Sequence, residues 1–227
     1  VNQLFLALAA FVALHSVPAL PPVRAGAVAL LGRKTYLGLY SLVSILVLGW
    51  VFHAALNAPY IELWEPSARN ALAAIVLAPI GLFLVLAGLL APNPVSITLR
   101  QGNRPGAIVA ITRHPVLWGF LLWASGHLIA NGDLRSLILF GGLALFSATG
   151  FPMLDKRARR RLGSDWQAIE NRTSVIPFLA IASGRSRPEI DAPLAIALAL
   201  TASVTAWLLL GGHAALFGAD PLLSLTI

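Results

Sequence analysis

Charge is missing from long runs of this chain. Asp, Glu, Lys and Arg are absent from 2–23, 35–61, 70–99, 114–132, 136–154 and 192–219, stretches of 22, 27, 30, 19, 19 and 28 residues. A helix needs about 20 apolar residues to cross ~30 Å of hydrocarbon, and each stretch meets or nearly meets that length. The apolar residues run continuously rather than alternating, and in lipid only helices and closed barrels satisfy the backbone. The pattern predicts an all-α fold: one integral membrane domain over 1–227, a polytopic bundle of six transmembrane helices. The first stretch begins Val1-Asn2-Gln3-Leu4 and meets no basic residue before Arg24. Lacking the positive start of a signal peptide, it reads as a span.

Composition sharpens this picture. Apolar residues make up 58% of the chain and charged ones 11%, with no Cys. That excludes a disordered, collagenous or disulfide-stapled protein. The net charge of +7 is distributed unevenly. Arg24, Arg33 and Lys34 follow the first span, and Arg100, Arg104 and Arg113 join the third to the fourth. The segment 155–191 carries Lys156, Arg157, Arg159, Arg160, Arg161, Arg172, Arg185 and Arg187, leaving only Arg69 and Arg135 for the other side. The positive-inside rule makes the basic loops cytoplasmic, and six spans then put both termini outside. The run DKRARRRLGSDW at 155–166 reads as a helix on anionic headgroups, each Lys or Arg contributing ~1 kcal/mol. Nucleic acid is not expected as a partner; membrane lipid is. The apolar piece 173–184 is too short to span and is expected at the interface. Pro79 and Pro152 should bend their helices, and Gly141, Ala144 and Ala148 offer a small-residue face for helix packing.

Ionisable groups inside a bilayer are costly and therefore informative. Within the six stretches the only such side chains are His15, His53, His114, His127 and His213. With no thiol and a single Met, imidazole is the protein ligand on offer to a transition metal or haem iron. At 1.5 Å per residue, His15 lies ~13 Å in from Arg24 and His127 ~21 Å from Arg113. A bis-histidine b-type haem between the first and fourth spans is one arrangement these depths allow. An outer cluster of His53, His127 and His213 is another, and depth does not choose between them. His114 fits a helix cap before Pro115.

Several segments resemble the NnrU family: HSVPALPPVR at 15–24, GRKTYLGLYSLVS at 32–44, TRHPVLWGFLLWASGHLIANGD at 112–133 and RTSVIPF at 172–178. That family is associated with denitrification, and it includes the 15-cis-zeta-carotene isomerases. The resemblance implies a multi-pass protein of a bacterial inner (cytoplasmic) membrane, with nitric oxide or a small apolar ligand and a respiratory or denitrification protein as its partners. The isomerase branch implies a b-type haem whose axial histidines fall on His15 and His127. Arg24 and Arg113 would then face its propionates. If the chain is an enzyme, the resemblance implies a haem-dependent cis–trans isomerase. The Cys that the isomerases carry three residues before the second His is Ala124 here, so a thiol-based ligand switch is absent.

A more distant similarity is to membrane methyltransferases of isoprenylcysteine and phospholipid. Arg113, His114, Pro115 and Gly119 fit their pattern; Leu117 replaces its Tyr, and Asp155-Lys156 replaces its acidic pair. This implies a related fold with a degenerate S-adenosylmethionine site. A bundle acting purely as an assembly partner is the remaining alternative.

Overall fold

The computed structural model describes residues 1–102 and 104–226. Its helices, in chain order, are α1 (Asn2–Ser16), α2 (Pro21–Leu31), α3 (Arg33–Leu56), α4 (Ala68–Leu90), α5 (Ile108–Ile111), α6 (Pro115–Asn131), α7 (Leu134–Ser136), α8 (Gly142–Leu162), α9 (Trp166–Arg172), α10 (Leu179–Ala182), α11 (Ala192–Trp207) and α12 (His213–Phe217). No strand occurs among the described residues; one isolated bridge pairs Glu62 with Asp133. The all-helical class expected from the apolar stretches is present. Large apolar side chains such as Leu6, Ile45, Leu46, Leu145 and Leu198 are exposed, as they must be to meet lipid.

Helix length supports four crossings: α3, α4, the helical run Leu134–Arg172 and the run Ala192–Phe217. A fifth is added if α1 and α2 form one bent span. Two stretches account for the difference from six. Residues 2–23 do not form one rod, because the chain bends by 82° between α1 and α2. Pro21 sits at the first position of α2, where its fixed φ starts a helix but cannot continue one. Stretch 114–132 yields α6, whose 17 residues extend only about 25 Å.

The chain forms two compact units. The first holds 1–65 and 132–142. Here α1 packs on α3, burying Leu4 and Ala7 of α1 and Val51, Ala54 and Ala55 of α3. The loop after α3 is tied down by the turn at Gly132, whose carbonyl accepts from the N–H groups of Leu63 (2.8 Å) and Trp64 (3.0 Å). Gly132 has φ +67 and lies against the Trp64 carbonyl, so it is a place only glycine fills without strain. Asp133, 2% exposed, caps the next helix through Ser136, and Arg135 lies over the Tyr60 ring.

The second unit holds 66–131 and 143–227. Its centre is the pair α4 and α6, which meet along a glycine seam. Gly81 and Gly88 on α4 face Gly119, Trp123, Val116 and Pro115 of α6; Gly119 and Gly126 on α6 face Gly81, Val85, Ala73, Ala74 and Leu77 of α4. A Cβ placed on Gly119 would lie 2.6 Å from the Val85 Cγ2 and 2.8 Å from its backbone nitrogen. Both pairs are seven residues apart, so they recur on one helix face. Small residues of this kind let backbones approach where lipid supplies no hydrophobic drive. The small-residue face expected at Gly141, Ala144 and Ala148 does not serve this role: Ala148 is exposed, and a Cβ on Gly141 would meet only Leu137 of its own turn. Leu84, Ala87 and Ala91 continue the core with Ile108, Val109 and Ala197. Pro79 and Pro152 both lie within helices that continue past them.

Candidate functional site

Three of the five histidines share one hydrogen-bond geometry. Nδ1 of His15 lies 2.8 Å from the Phe11 carbonyl, Nδ1 of His127 lies 2.8 Å from the Trp123 carbonyl, and Nδ1 of His213 lies 2.7 Å from the Ala219 carbonyl. A carbonyl can only accept, so Nδ1 carries the proton in each case. The lone pair then resides on Nε2. For His15 and His127 the acceptor belongs to the residue one helical turn earlier, which fixes the ring along its own helix.

The other two histidines differ. The Asn57 side-chain amide approaches Nδ1 of His53 at 3.4 Å; an amide N–H donates, so in that contact Nδ1 of His53 carries the lone pair and accepts. His114 is fully buried with both ring nitrogens engaged, Nδ1 with Ser96 Oγ at 3.0 Å and Nε2 with Asp155 at 2.8 Å. Asp155 accepts, so His114 donates from Nε2. His114 is therefore a structural hub at the start of α6.

His15 and Arg24 belong to the first unit, the former half-buried in the last turn of α1 and the latter exposed in α2. The His15 ring lies 4.3 Å from that of Phe11 and 6.1 Å from that of Tyr40. His127 and Arg113 belong to the second unit. The His127 ring is 4.9 Å from Trp123 and 6.4 Å from His213. Of the outer set, the second unit thus brings together His127 and His213, while His53 belongs to the first.

Arg113 anchors a polar cluster that sequence reading did not assemble. Its guanidinium donates to Asp155 at 2.7 Å and to Thr173 Oγ1 at 2.9 Å, and lies over the Trp166 ring at 4.9 Å. Its carbonyl accepts from Asn93 at 3.0 Å. The side chain is 5% exposed and that of Asp155 24%. Asp155 follows Leu154, the last residue of the apolar stretch 136–154. Burial pushes its carboxyl up, but the hydrogen bonds from His114 and Arg113 and their charges outweigh that and hold it below the ordinary value.

The start of the motif 112–133 and the motif 172–178 form one object around this cluster. The Phe178 N–H donates to the Ile111 carbonyl at 2.8 Å, Thr112 Oγ1 to the Val175 carbonyl at 2.8 Å, and Trp118 Nε1 to the same carbonyl at 2.7 Å. The segment 173–178 is thus a strap across the start of α6, ending in Phe178 with φ +63. Asn93 and Ser96 gave no signal beyond being polar residues near the edge of an apolar stretch, while Asp155 and Thr173 stood out only through motif resemblance, because the partners of all four lie far off in the chain.

These features define a multi-pass helical membrane protein whose buried polar groups gather where apolar stretches end and whose imidazoles are held in fixed tautomers. The chain belongs to the NnrU family, described as NnrU protein, which matches residues 3–221. It is 38% identical over 78 residues to the chloroplastic 15-cis-zeta-carotene isomerase of Arabidopsis thaliana, 34% of this chain and 21% of that protein. Over 80 residues it is 34% identical to the chloroplastic 15-cis-zeta-carotene isomerase of Zea mays, 35% of this chain and 22% of that protein. The match thus spans about a fifth of the length of these relatives. No solved structure matches the chain.

Proposed function

We propose that this NnrU-family membrane protein binds a b-type haem through His15 and His127 and acts in nitrogen-oxide metabolism. The observation that carries the reading is that His15 and His127 share a tautomer fixed by the carbonyl one turn earlier on their own helix. Each of the two imidazoles has its Nδ1 proton held by a backbone carbonyl at 2.8 Å, which presents the Nε2 lone pair that iron ligation needs and raises its basicity. An imidazole protonated on Nδ1 is the form in which each of the two would hold iron. A ferrous haem would supply affinity for nitric oxide, a small apolar gas that partitions into membranes. Arg24, exposed in α2, and Arg113, already paired with Asp155, would balance propionate charge.

The reading takes the chain as six spans with both termini outside and the basic loops in the cytoplasm, in a bacterial inner membrane. A respiratory or denitrification protein is the expected partner. The optical spectrum of the purified protein, oxidised and reduced, tests the reading directly. A Soret band that disappears in the His15→Ala/His127→Ala double variant is expected; a band that survives it, or none in the parent after haem supplementation, ends the assignment.

The similarity to two carotene isomerases favours a second reading, a cis–trans isomerase of a long polyene using the same haem. Co-expression in cells accumulating tri-cis carotene tests it, and an isomer profile equal to the empty-vector control removes it.

A further inference from the structure

A cavity of about 210 Å³ opens beside the Arg113 cluster, between the loop after α4 and the start of the basic run on α8. Ser96, Ile97 and Thr98 line one wall, and Leu154, Arg157 and Arg161 the other. The two arginines are four residues apart on one helix and so share a face. No acidic residue lines the cavity, and the carboxylate next to it in sequence, Asp155, is already bound by Arg113 and His114. Outside the cavity, Arg159 pairs with Glu170 at 3.2 Å and lies over Trp166. Arg161 gives one N–H to the Pro94 carbonyl. Arg157 has no hydrogen bond or ion pair among the described residues.

Both hydroxyls opposite are engaged by the protein. Ser96 Oγ lies 3.0 Å from Nδ1 of His114, whose Nε2 donates to Asp155. Thr98 Oγ1 donates to the Ala91 carbonyl at 2.7 Å and accepts from the Arg100 N–H. The Thr98 proton is thus spent on the protein, and both hydroxyl oxygens keep lone pairs toward the cavity. The cavity therefore offers cationic N–H donors on one side and acceptor oxygens on the other. It lies where the apolar stretch ending at Leu154 gives way to charge, the depth of a lipid headgroup.

We propose that this cavity binds a phosphate oxyanion that also carries hydroxyl donors, as the headgroup of phosphatidylglycerol does and as inorganic phosphate does. The guanidiniums of Arg157 and Arg161 hold the phosphate oxygens, and Ser96 and Thr98 accept from the hydroxyls. The site is independent of haem.

The test is native mass spectrometry of the detergent-purified full chain titrated with phosphatidylglycerol, with phosphatidylcholine, and with phosphatidylglycerol in the presence of inorganic phosphate. The variants are Arg157→Gln/Arg161→Gln and the control Lys156→Gln/Arg160→Gln, which removes equal charge at equal spacing from outside the cavity. Phosphatidylglycerol affinity is expected to fall about tenfold or more in the first, as loss of charge-assisted hydrogen bonds predicts, and less than about twofold in the control. Arg157→Gln alone, at an exposed and unpartnered position, should fall about threefold or more and guards against a folding effect in the double variant. Phosphatidylcholine should bind alike in all. Displacement of the lipid by millimolar phosphate assigns the free ion as a ligand of the site, and its persistence assigns the headgroup. Equal losses in both double variants, or no loss in either cavity variant, overturn the proposal.

Discussion

The backbone N–H of Arg113 donates to the carbonyl of Ser174 at 2.7 Å. This bond joins two segments that look like unrelated signatures in the sequence, and it sits beneath a side chain that also binds Asp155 and Thr173.

Removing the carboxylate from that cluster should be costly. Breaking a fully buried pair costs about 3–5 kcal/mol; with Asp155 a quarter exposed, Asp155→Ala should cost about 2–3 kcal/mol. A lower thermal midpoint in detergent, with a smaller loss for Asp155→Asn, is the expected result. Unchanged midpoints would remove the cluster from the stability of the fold.

The same carboxylate has a pH consequence. Its folded-state value is depressed, so its contribution is complete above the unfolded-state value, near 3.8, and is lost as pH falls through the lower folded value. The thermal midpoint of the parent should therefore decline more steeply on acidification below that value than the midpoint of Asp155→Asn.

The seam between α4 and α6 predicts opposite outcomes for two glycines. Gly119→Val should overpack against Val85 and the α4 backbone and cost at least about 1–3 kcal/mol. Gly141→Ala, with only Leu137 at 3.6 Å, should be neutral or gain up to about 1 kcal/mol. Monodispersity and thermal midpoint in detergent read both.

Trp118→Phe removes one of two donors to the Val175 carbonyl, at about 1 kcal/mol. Hydrogen exchange should quicken across 173–178 while α4 stays protected.

The tautomers divide the histidines. On the haem reading, His127→Ala should lower haem content at least severalfold and His53→Ala should leave the Soret band in place. The reverse ranking would redirect the site to other residues.

The helical class was legible because desolvating charge is expensive enough to clear whole stretches of it. Counting charge alone treated 2–23 as a single span, although Pro18, Pro21 and Pro22 stand where the helix breaks. Spacing marks a small-residue face at Gly141 as readily as at Gly81, Gly88, Gly119 and Gly126, because it reveals a face but not the neighbour that the face meets. Asp155 looked like the remnant of an acidic pair; its work for Arg113 and His114 depends on contacts across some forty residues, which periodicity does not encode. The histidines were legible as candidates, while their tautomers needed carbonyl positions.

The strap has a meaning for biogenesis. Residues 173–178 leave the ribosome after α4, α6 and α8 have been made, so Arg113 must wait at the membrane edge until they arrive. A nascent chain paused before residue 173 would hold that cation with Asp155 and the Trp166 ring but without Thr173, and quality control would find there a polar wound that the finished protein has closed.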